Sequence, residues 1–280
     1  MTPRFRFVSF LSDYGRTDEF VGVCHAVMLD VAPHLGIVDI THDVAAFDIR
    51  AGGLALVRAV QYLPEGVVLA VVDPGVGTDR RCIAVEVEHG CFVGPDNGLL
   101  APAVAMLGGP TRVVALTNRE YQLPSPGPTF AGRDVMAPAA AHLANGVDLL
   151  ALGDEVDPVS LAPGIIPLPE VEDATIRGEV LWVDRFGNCQ LNVDPELLLA
   201  AGAAPGDNLE VRFGDTGRRA RWVHTFADAK ASELVLIVDS YGTCALAYDR
   251  RSAAAELKLR AGSAVNLVVD PRRRIQVTAE

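Results

Sequence analysis

The sequence predicts two domains of different class, an α/β domain with a mostly parallel sheet followed by an all-β barrel. Three features of the 280-residue chain carry that reading. Strand and helix patterns alternate through the first half. One of those strands, residues 67–72, is an unbroken apolar run rich in β-branched side chains, as a central strand covered on both faces requires. Beyond Asp148 the alternation gives way to short strands separated by Gly and Asp turns, the spacing of a small barrel or sandwich.

Taken in order, residues 5–11 read as a strand ending in Ser12-Asp13-Tyr14-Gly15, and 18–32 as a helix with Phe20, Val21, Cys24, Met28 and Val31 on one stripe. A short strand at 37–40 runs into Thr41-His42-Asp43. A helix at 49–62 is closed by Pro64-Glu65-Gly66 ahead of the central strand. Further strands are expected at 82–87, 92–93 and 112–116, with a helix at 101–107 and a tight turn at Pro95-Asp96-Asn97-Gly98. A Pro- and Gly-rich loop, 123–128, whose mobility suits a substrate site, precedes a helix at 133–144. Pro163, Gly164, Pro167 and Pro169 then mark a linker. The expected division is a Rossmann-like domain over 1–162, a linker over 163–172 and a β-barrel over 173–280. The barrel strands are placed at 176–183, 188–193, 208–213, 219–225, 233–239, 244–248 and 264–269, with one short helix at 252–257.

Composition excludes several function classes. A formal net charge of −12 disfavours a nucleic-acid partner, and the only basic cluster is Arg272-Arg273-Arg274. No apolar run approaches the roughly 18 residues of a membrane span, and the N-terminus lacks a signal-peptide core, so a cytoplasmic protein is expected. Cys24, Cys82, Cys91, Cys189 and Cys244 form no Cys-x-x-Cys pair and read as core residues. The histidines, His25, His34, His42, His89, His142 and His224, show no metal spacing. Asp13, Asp18 and Asp73, with Asp43 and Asp48, would suit a hard cation, yet such residues commonly cap helices, and Asp18 falls in the first turn of the expected helix; no metal is expected. Gly75-Val76-Gly77 lacks the third glycine of a dinucleotide fingerprint, and there is no Gly-x-Ser-x-Gly.

The chemistry points to the end of the central strand. Asp73 stops the apolar run, and Pro74, Gly75 and Gly77 force a loop at a carboxyl strand end, where open α/β sheets bind ligands. Arg80 follows seven residues later, and a loop folding back would bring its guanidinium to the Asp73 carboxylate. The other reading of the same residues is an ordinary Asp-Pro-Gly turn beside a solvated arginine.

Seven separated motifs, in order, resemble one family: Ser12-Asp13-Tyr14-Gly15 with Asp18 and Phe20-Val21-Gly22; Asp39-Ile40-Thr41-His42; the stretch from Asp73 to Arg81; Gly94 to Leu99; Thr129-Phe130-x-Gly132-Arg133-Asp134; Asp184 to Asn188; and Asp239-Ser240-Tyr241-Gly242. They are similar to the S-adenosyl-L-methionine hydroxide adenosyltransferases, hydrolase relatives of the fluorinase and chlorinase. The resemblance implies attack of water or hydroxide on C5′ of the ribose, giving adenosine and methionine without a cofactor. It also implies a homotrimer with sites between the N-domain of one subunit and the C-domain of the next.

By that resemblance Asp73 orients or deprotonates the water and Arg80 positions Asp73. Asp13 accepts both ribose hydroxyls, and Asp18 and Ser240 meet the methionine end. Phe47 stands over ribose and sulfonium, Asn188 and Arg250 lie at the adenine, and Thr129 lines the nucleophile pocket. Read without it, Asp13 is a turn residue, Phe47 core, Asn188 a hairpin turn and Ser240 a strand-end cap. The fluorinase carries Tyr at the Asp73 position, so Asp73 and Arg80 disfavour a halogenase. The family's catalytic His falls at Ala131, which can neither hydrogen-bond a water nor relay a proton. Ala131 reads first as a deliberate truncation, second as a natural variant using another group, third as a mark of a non-catalytic S-adenosyl-L-methionine or adenosine binding protein. Gly132, where the fluorinase has Ser, is expected to leave additional room, so that with Ala131 a larger nucleophile would fit.

Overall fold

The computed structural model describes residues 3–269, and Arg272-Arg273-Arg274 lies outside them. The chain divides into two compact units, Met1–Ile166 and Pro167–Glu280.

In the first unit β1 (Phe7–Ser12), α1 (Phe20–Val31), β2 (Gly36–Thr41), α2 (Ile49–Val60) and β3 (Gly66–Val71) form two successive crossovers. They are followed by β4 (Cys82–Val87), β5 (Gly90–Pro95), α3 (Ala101–Met106), β6 (Arg112–Ala115), α4 (Ala137–Ala144) and β7 (Asp154–Glu155). The sheet order is β2-β1-β3-β5-β4-β6-β7. Pairing is parallel from β2 to β5 and antiparallel from β5 to β7, so five of seven strands share one direction. β3 is buried at every position, as the apolar run required. Side-chain alternation explains the layers. Phe10 faces the core shared with Cys24 and Met28 of α1 and the alanines of α4, whereas Leu11 faces α2, where Gly52 packs against Leu99 and Val72.

Three details depart from the sequence reading. α1 starts at Phe20, so Asp18 lies ahead of the helix rather than in its first turn. The short strand expected at 92–93 is the longer β5, pinned between β3 and β4. The helix expected from 133 opens with a π-wound turn, Gly132–Met136, before α4. Pro138 explains the turn: it has no N–H for the Asp134 carbonyl and its ring would crowd it. The freed carbonyl instead accepts the Leu123 N–H at 2.9 Å, tethering the Pro-rich loop.

The second unit begins with β8 (Glu170–Glu172), within the stretch expected as linker, and continues through β9 (Thr175–Val183), β10 (Cys189–Leu191), α5 (Pro195–Ala200), β11 (Asn208–Phe213), β12 (Thr216–Trp222), β13 (Val235–Val238), β14 (Cys244–Ala247), α6 (Ala253–Leu257) and β15 (Ala264–Val268). The order β10-β14-β13-β12-β11-β15-β9 closes through pairing of β10 with β9, which makes a seven-stranded barrel with β8 appended to β9. Its interior is filled by Ile176, Val180, Leu191, Leu236, Leu246 and their neighbours. No helix among the described residues is long and apolar enough to cross a membrane.

Candidate active site

The strand order reverses its direction of growth at β1: β2 is laid on one side and β3 on the other, which opens a crevice at the carboxyl ends of β1 and β3. Asp13 and Asp73 leave the sheet there, and the Asp13 N–H donates to the Val71 carbonyl at 3.3 Å.

The 73–80 loop folds back on itself. Arg80 Nε donates to Asp73 Oδ1 at 2.9 Å, its Nη2 donates to Oδ2, and its Nη1 lies 2.8 Å from Cys82 Sγ. The two side chains are 6% and 13% exposed, so the pair is bidentate and largely desolvated, which the ordinary-turn reading does not account for. The glycines permit the reversal. A Cβ at Gly75 would lie 3.2 Å from Arg80 Cγ, and Gly77 sits at φ +80°. Burial disfavours the Arg80 cation, but the Asp73 carboxylate and Cys82 hold its pKa above the ordinary value. Burial likewise raises the Cys82 thiol against the pull of Arg80, keeping it a neutral neighbour.

Phe47 is not a core residue. It is 69% exposed and holds φ +68°, a conformation costly for a bulky side chain. Two contacts impose it: its N–H donates to Asp13 Oδ2 at 2.8 Å, and the next residue, Asp48, caps α2 by accepting the Ala51 N–H. A strained, exposed aromatic is thus tied through its backbone to a carboxylate, which suits a platform for a ligand.

Thr129 is exposed on a turn whose preceding carbonyl, that of Pro128, lies 3.5 Å from where a Gly77 Cβ would be, so this turn meets the Asp73 loop. Ala131 follows, partly buried at the helix start. The additional room expected at Gly132 is absent. A Cβ there would fall 2.0 Å from the Tyr14 hydroxyl, which fills the space. Tyr14 is wedged edge-on between Phe10, Phe20 and Phe130, with ring centroids 6.5, 5.7 and 5.5 Å away.

Behind the crevice, Ser12 Oγ lies 2.8 Å from His42 Nδ1, and Asp39 Oδ1 lies 3.0 Å from His42 Nε2 and 2.9 Å from His25 Nε2. Asp39 Oδ1 faces His42 Nε2 without the alignment of a hydrogen bond. These three residues are the group among the described residues that could hold a metal ion. As they stand, each already partners another and the chain leads to Ser12, which accepts the Tyr14 N–H at 3.3 Å; the arrangement anchors the loop that carries Asp13.

In the second unit, Asn188 and Arg250 come together on a cavity of about 490 Å³ with Phe186, Phe226, Tyr248 and Ser252. Asn188 is oriented by Asp184, which accepts both its backbone and side-chain N–H groups at 2.8 and 2.7 Å. Arg250 holds φ +54° with its side chain 90% exposed. Ser240 lies at the opposite end of β14, on the exposed turn organised by Asp239, and Asp18 is exposed ahead of α1.

The first unit therefore gathers Asp13, Phe47, Asp73, Arg80, Thr129 and Ala131, and the second gathers Asn188 and Arg250. Reasoning from sequence gave no role to Tyr14 or Cys82. Tyr14 could have been found from its place beside Asp13 at a carboxyl strand end. Cys82 carries no such signal.

Residues 8–153 match the SAM hydroxide adenosyltransferase N-terminal domain and 178–266 the C-terminal domain. The chain is 42% identical over 274 residues to an (R)-S-adenosyl-L-methionine hydrolase of Salinispora tropica, covering 98% of each. It is 41% identical over 271 residues to one of Thermus thermophilus, covering 94% of this chain and 100% of that one. The crystal structure of an uncharacterized conserved protein from Thermotoga maritima superposes with a TM-score of 0.87 at 34% identity, over 94% of this chain and all of the other. With both domains matched in order across most of its length, the chain belongs to the SAM hydroxide adenosyltransferase family.

Proposed function

We propose that the chain hydrolyses S-adenosyl-L-methionine to adenosine and L-methionine. The carrying observation is the desolvated Asp73–Arg80 pair at the crevice, next to Asp13 and the exposed Phe47. The sulfonium leaves as a neutral thioether, so no acid is needed; the demand is for an oxygen nucleophile, since bulk water has a pKa of about 15.7. The water oxygen forms a bond to C5′ while the C5′–S pair returns to sulfur, and the water proton passes to Asp73 and then to solvent. Arg80 fixes the carboxylate and stabilises hydroxide character in the attacking water. Asp13 has acceptors for both ribose hydroxyls, Phe47 offers a ring face to the sulfonium, and Thr129 closes the nucleophile side. Asn188 and the Arg250 backbone suit adenine, and Asp18 and Ser240 the amino-acid end. No cofactor is required by this reaction.

The site residues are divided between the two units, which supports a homotrimer pairing the N-domain of one subunit with the C-domain of the next; light scattering that returns a monomer would remove that part. A cytoplasmic location fits an intracellular substrate. Ala131 favours one second reading, a protein that binds S-adenosyl-L-methionine without turnover. Incubation with S-adenosyl-L-methionine in ¹⁸O-water is expected to give ¹⁸O-labelled adenosine and methionine in equal amounts. Neither product from the wild type nor from Ala131→His would sink the hydrolase reading, and binding measured by calorimetry in both would establish the second.

A further inference from the structure

Residue 131 carries only a methyl group, which packs against the core of the first unit, and the space at the next residue is taken. The phenol oxygen of Tyr14 stands against the backbone of residue 132, so close that a Cβ there would overlap it at 2.0 Å. Tyr14 reaches this point from the exit loop of β1, next to Asp13, and β1 pairs directly with β3, the strand that delivers Asp73. The phenol's direction is fixed, because Phe10, Phe20 and Phe130 pack edge-on around the ring and Phe130 immediately precedes Ala131. The backbone is fixed too: the Tyr14 N–H is held by Ser12 Oγ, and the Gly15 N–H donates to the His42 carbonyl at 2.8 Å.

Among the described residues the phenol makes no hydrogen bond of its own. A half-buried hydroxyl is one donor and two acceptor sites, and in a crevice these go to water or to a ligand. Its electrostatic surroundings are those of the site. Burial, then Cys24, Asp13 and Asp73, push its pKa well above the ordinary value, with Arg80 opposing. The phenol therefore stays protonated and keeps both its donor and its acceptors across the working pH range.

We infer that Tyr14 is a catalytic residue of this chain, its phenol holding the attacking water against the Asp73–Arg80 pair in the place where Ala131 offers nothing. This rests on the hydrolase reading. In the step, the water oxygen bonds to C5′, the C5′–S electron pair leaves with sulfur, and the proton goes to Asp73. Tyr14 keeps its own proton and acts only through hydrogen bonds to the water. Gly132 belongs to the same device, because any side chain there would displace the phenol. The phenol also occupies the volume that a larger nucleophile would have used, so the pocket selects water.

Steady-state kinetics with S-adenosyl-L-methionine on the wild type, Tyr14→Phe, Ala131→His and the double variant test this. Tyr14→Phe keeps the ring and its packing, and is expected to lower kcat by about 10²-fold with KM within about twofold. Ala131→His in the Tyr14→Phe background is expected to restore much of that loss, because an imidazole re-supplies a polar group at the same place. An active wild type with Tyr14→Phe equal to it overturns the inference and leaves the hydrolase reading intact. So does an inert wild type beside an active Ala131→His. A loss that appears equally in KM and is untouched by Ala131→His marks ring packing and overturns it as well. Inertness of both wild type and Ala131→His removes the hydrolase reading and this inference with it.

Discussion

Arg80 and Arg81 are neighbours in one loop, and each directs two donors to an aspartate, Arg80 to both carboxylate oxygens and Arg81 to one, yet the two pairs do opposite jobs. Arg81 Nε and Nη2 both reach Asp96 Oδ2, at 2.8 and 2.5 Å, and its remaining donors go to the hydroxyl and carbonyl of Ser160. Asp96 Oδ1 takes the Ala162 N–H. That pair has partners on every side and ties three segments together. Among the described residues the Asp73–Arg80 side chains have only Cys82 beyond themselves, and the pair faces a crevice shared with Asp13, Phe47 and Tyr14. The same two residue types are a clamp when saturated and a reactive centre when a face is left for a ligand.

The comparison breaks most visibly by removing each carboxylate in turn. Asp73→Ala is expected to lower kcat by about 10³-fold or more, since it removes the group that orients and accepts a proton from water. Asp96→Ala should leave kcat within a fewfold and cost about 2 kcal/mol of stability, below the usual cost of breaking a buried pair because Arg81 is one-third exposed. Kinetics and urea unfolding on both variants check this. Equal kinetic losses would mean that the saturated pair also serves the site.

A smaller effect sharpens the boundary between packing and chemistry at residue 132. Gly132→Ala should destabilise by about 1–3 kcal/mol, because its new methyl meets the Tyr14 oxygen at 2.0 Å. Combining it with Tyr14→Phe removes that oxygen and leaves the ring carbon at 3.1 Å, so the double variant should regain part of the loss. Additive melting shifts would show that the overlap is relieved elsewhere.

The parts of the site legible in the sequence are those fixed by strand ends. Asp73 ends an apolar run and Asp13 follows the first strand, and parallel strands deliver such residues to one edge. Phe47 was legible only through the family resemblance: nothing local announces φ +68°, which arises from Asp13, 34 residues away, and from the Asp48 cap. The π-wound turn had a signal, Pro138 inside a helical run, but its consequence depends on Leu123 collecting the freed carbonyl. The Ser12–His42–Asp39–His25 chain showed in the sequence as motif residues but not as a contact, since it joins α1 to the ends of β1 and β2 through packing that sequence spacing does not encode. The room expected at Gly132 failed for a related reason: a missing side chain says nothing about which neighbour fills the space.

That chain, with His42 buried between Ser12 and Asp39, stands apart from both arginine pairs, and its expected effect is the smallest. Burial lowers the pKa of His42 below its ordinary value, opposed by Asp39. Burial alone does the same to His142. Between the folded value and the unfolded value near about 6.5 the unfolded chain binds more protons, so stability rises with pH across that interval. It is fully present above about 6.5 and is lost as pH falls toward the folded value. Protonation makes both ring nitrogens of His42 donors, which changes its 2.8 Å contact with Ser12 Oγ behind the loop that carries Asp13 and Tyr14. In a His142→Gln background, the urea midpoint should be lower at pH 5.5 than at pH 7.5, and His42→Asn should flatten the difference. A midpoint that holds or rises at pH 5.5 would show that His42 accepts its proton without cost, and that the chain behind the crevice has slack where Asp73–Arg80 has its open face.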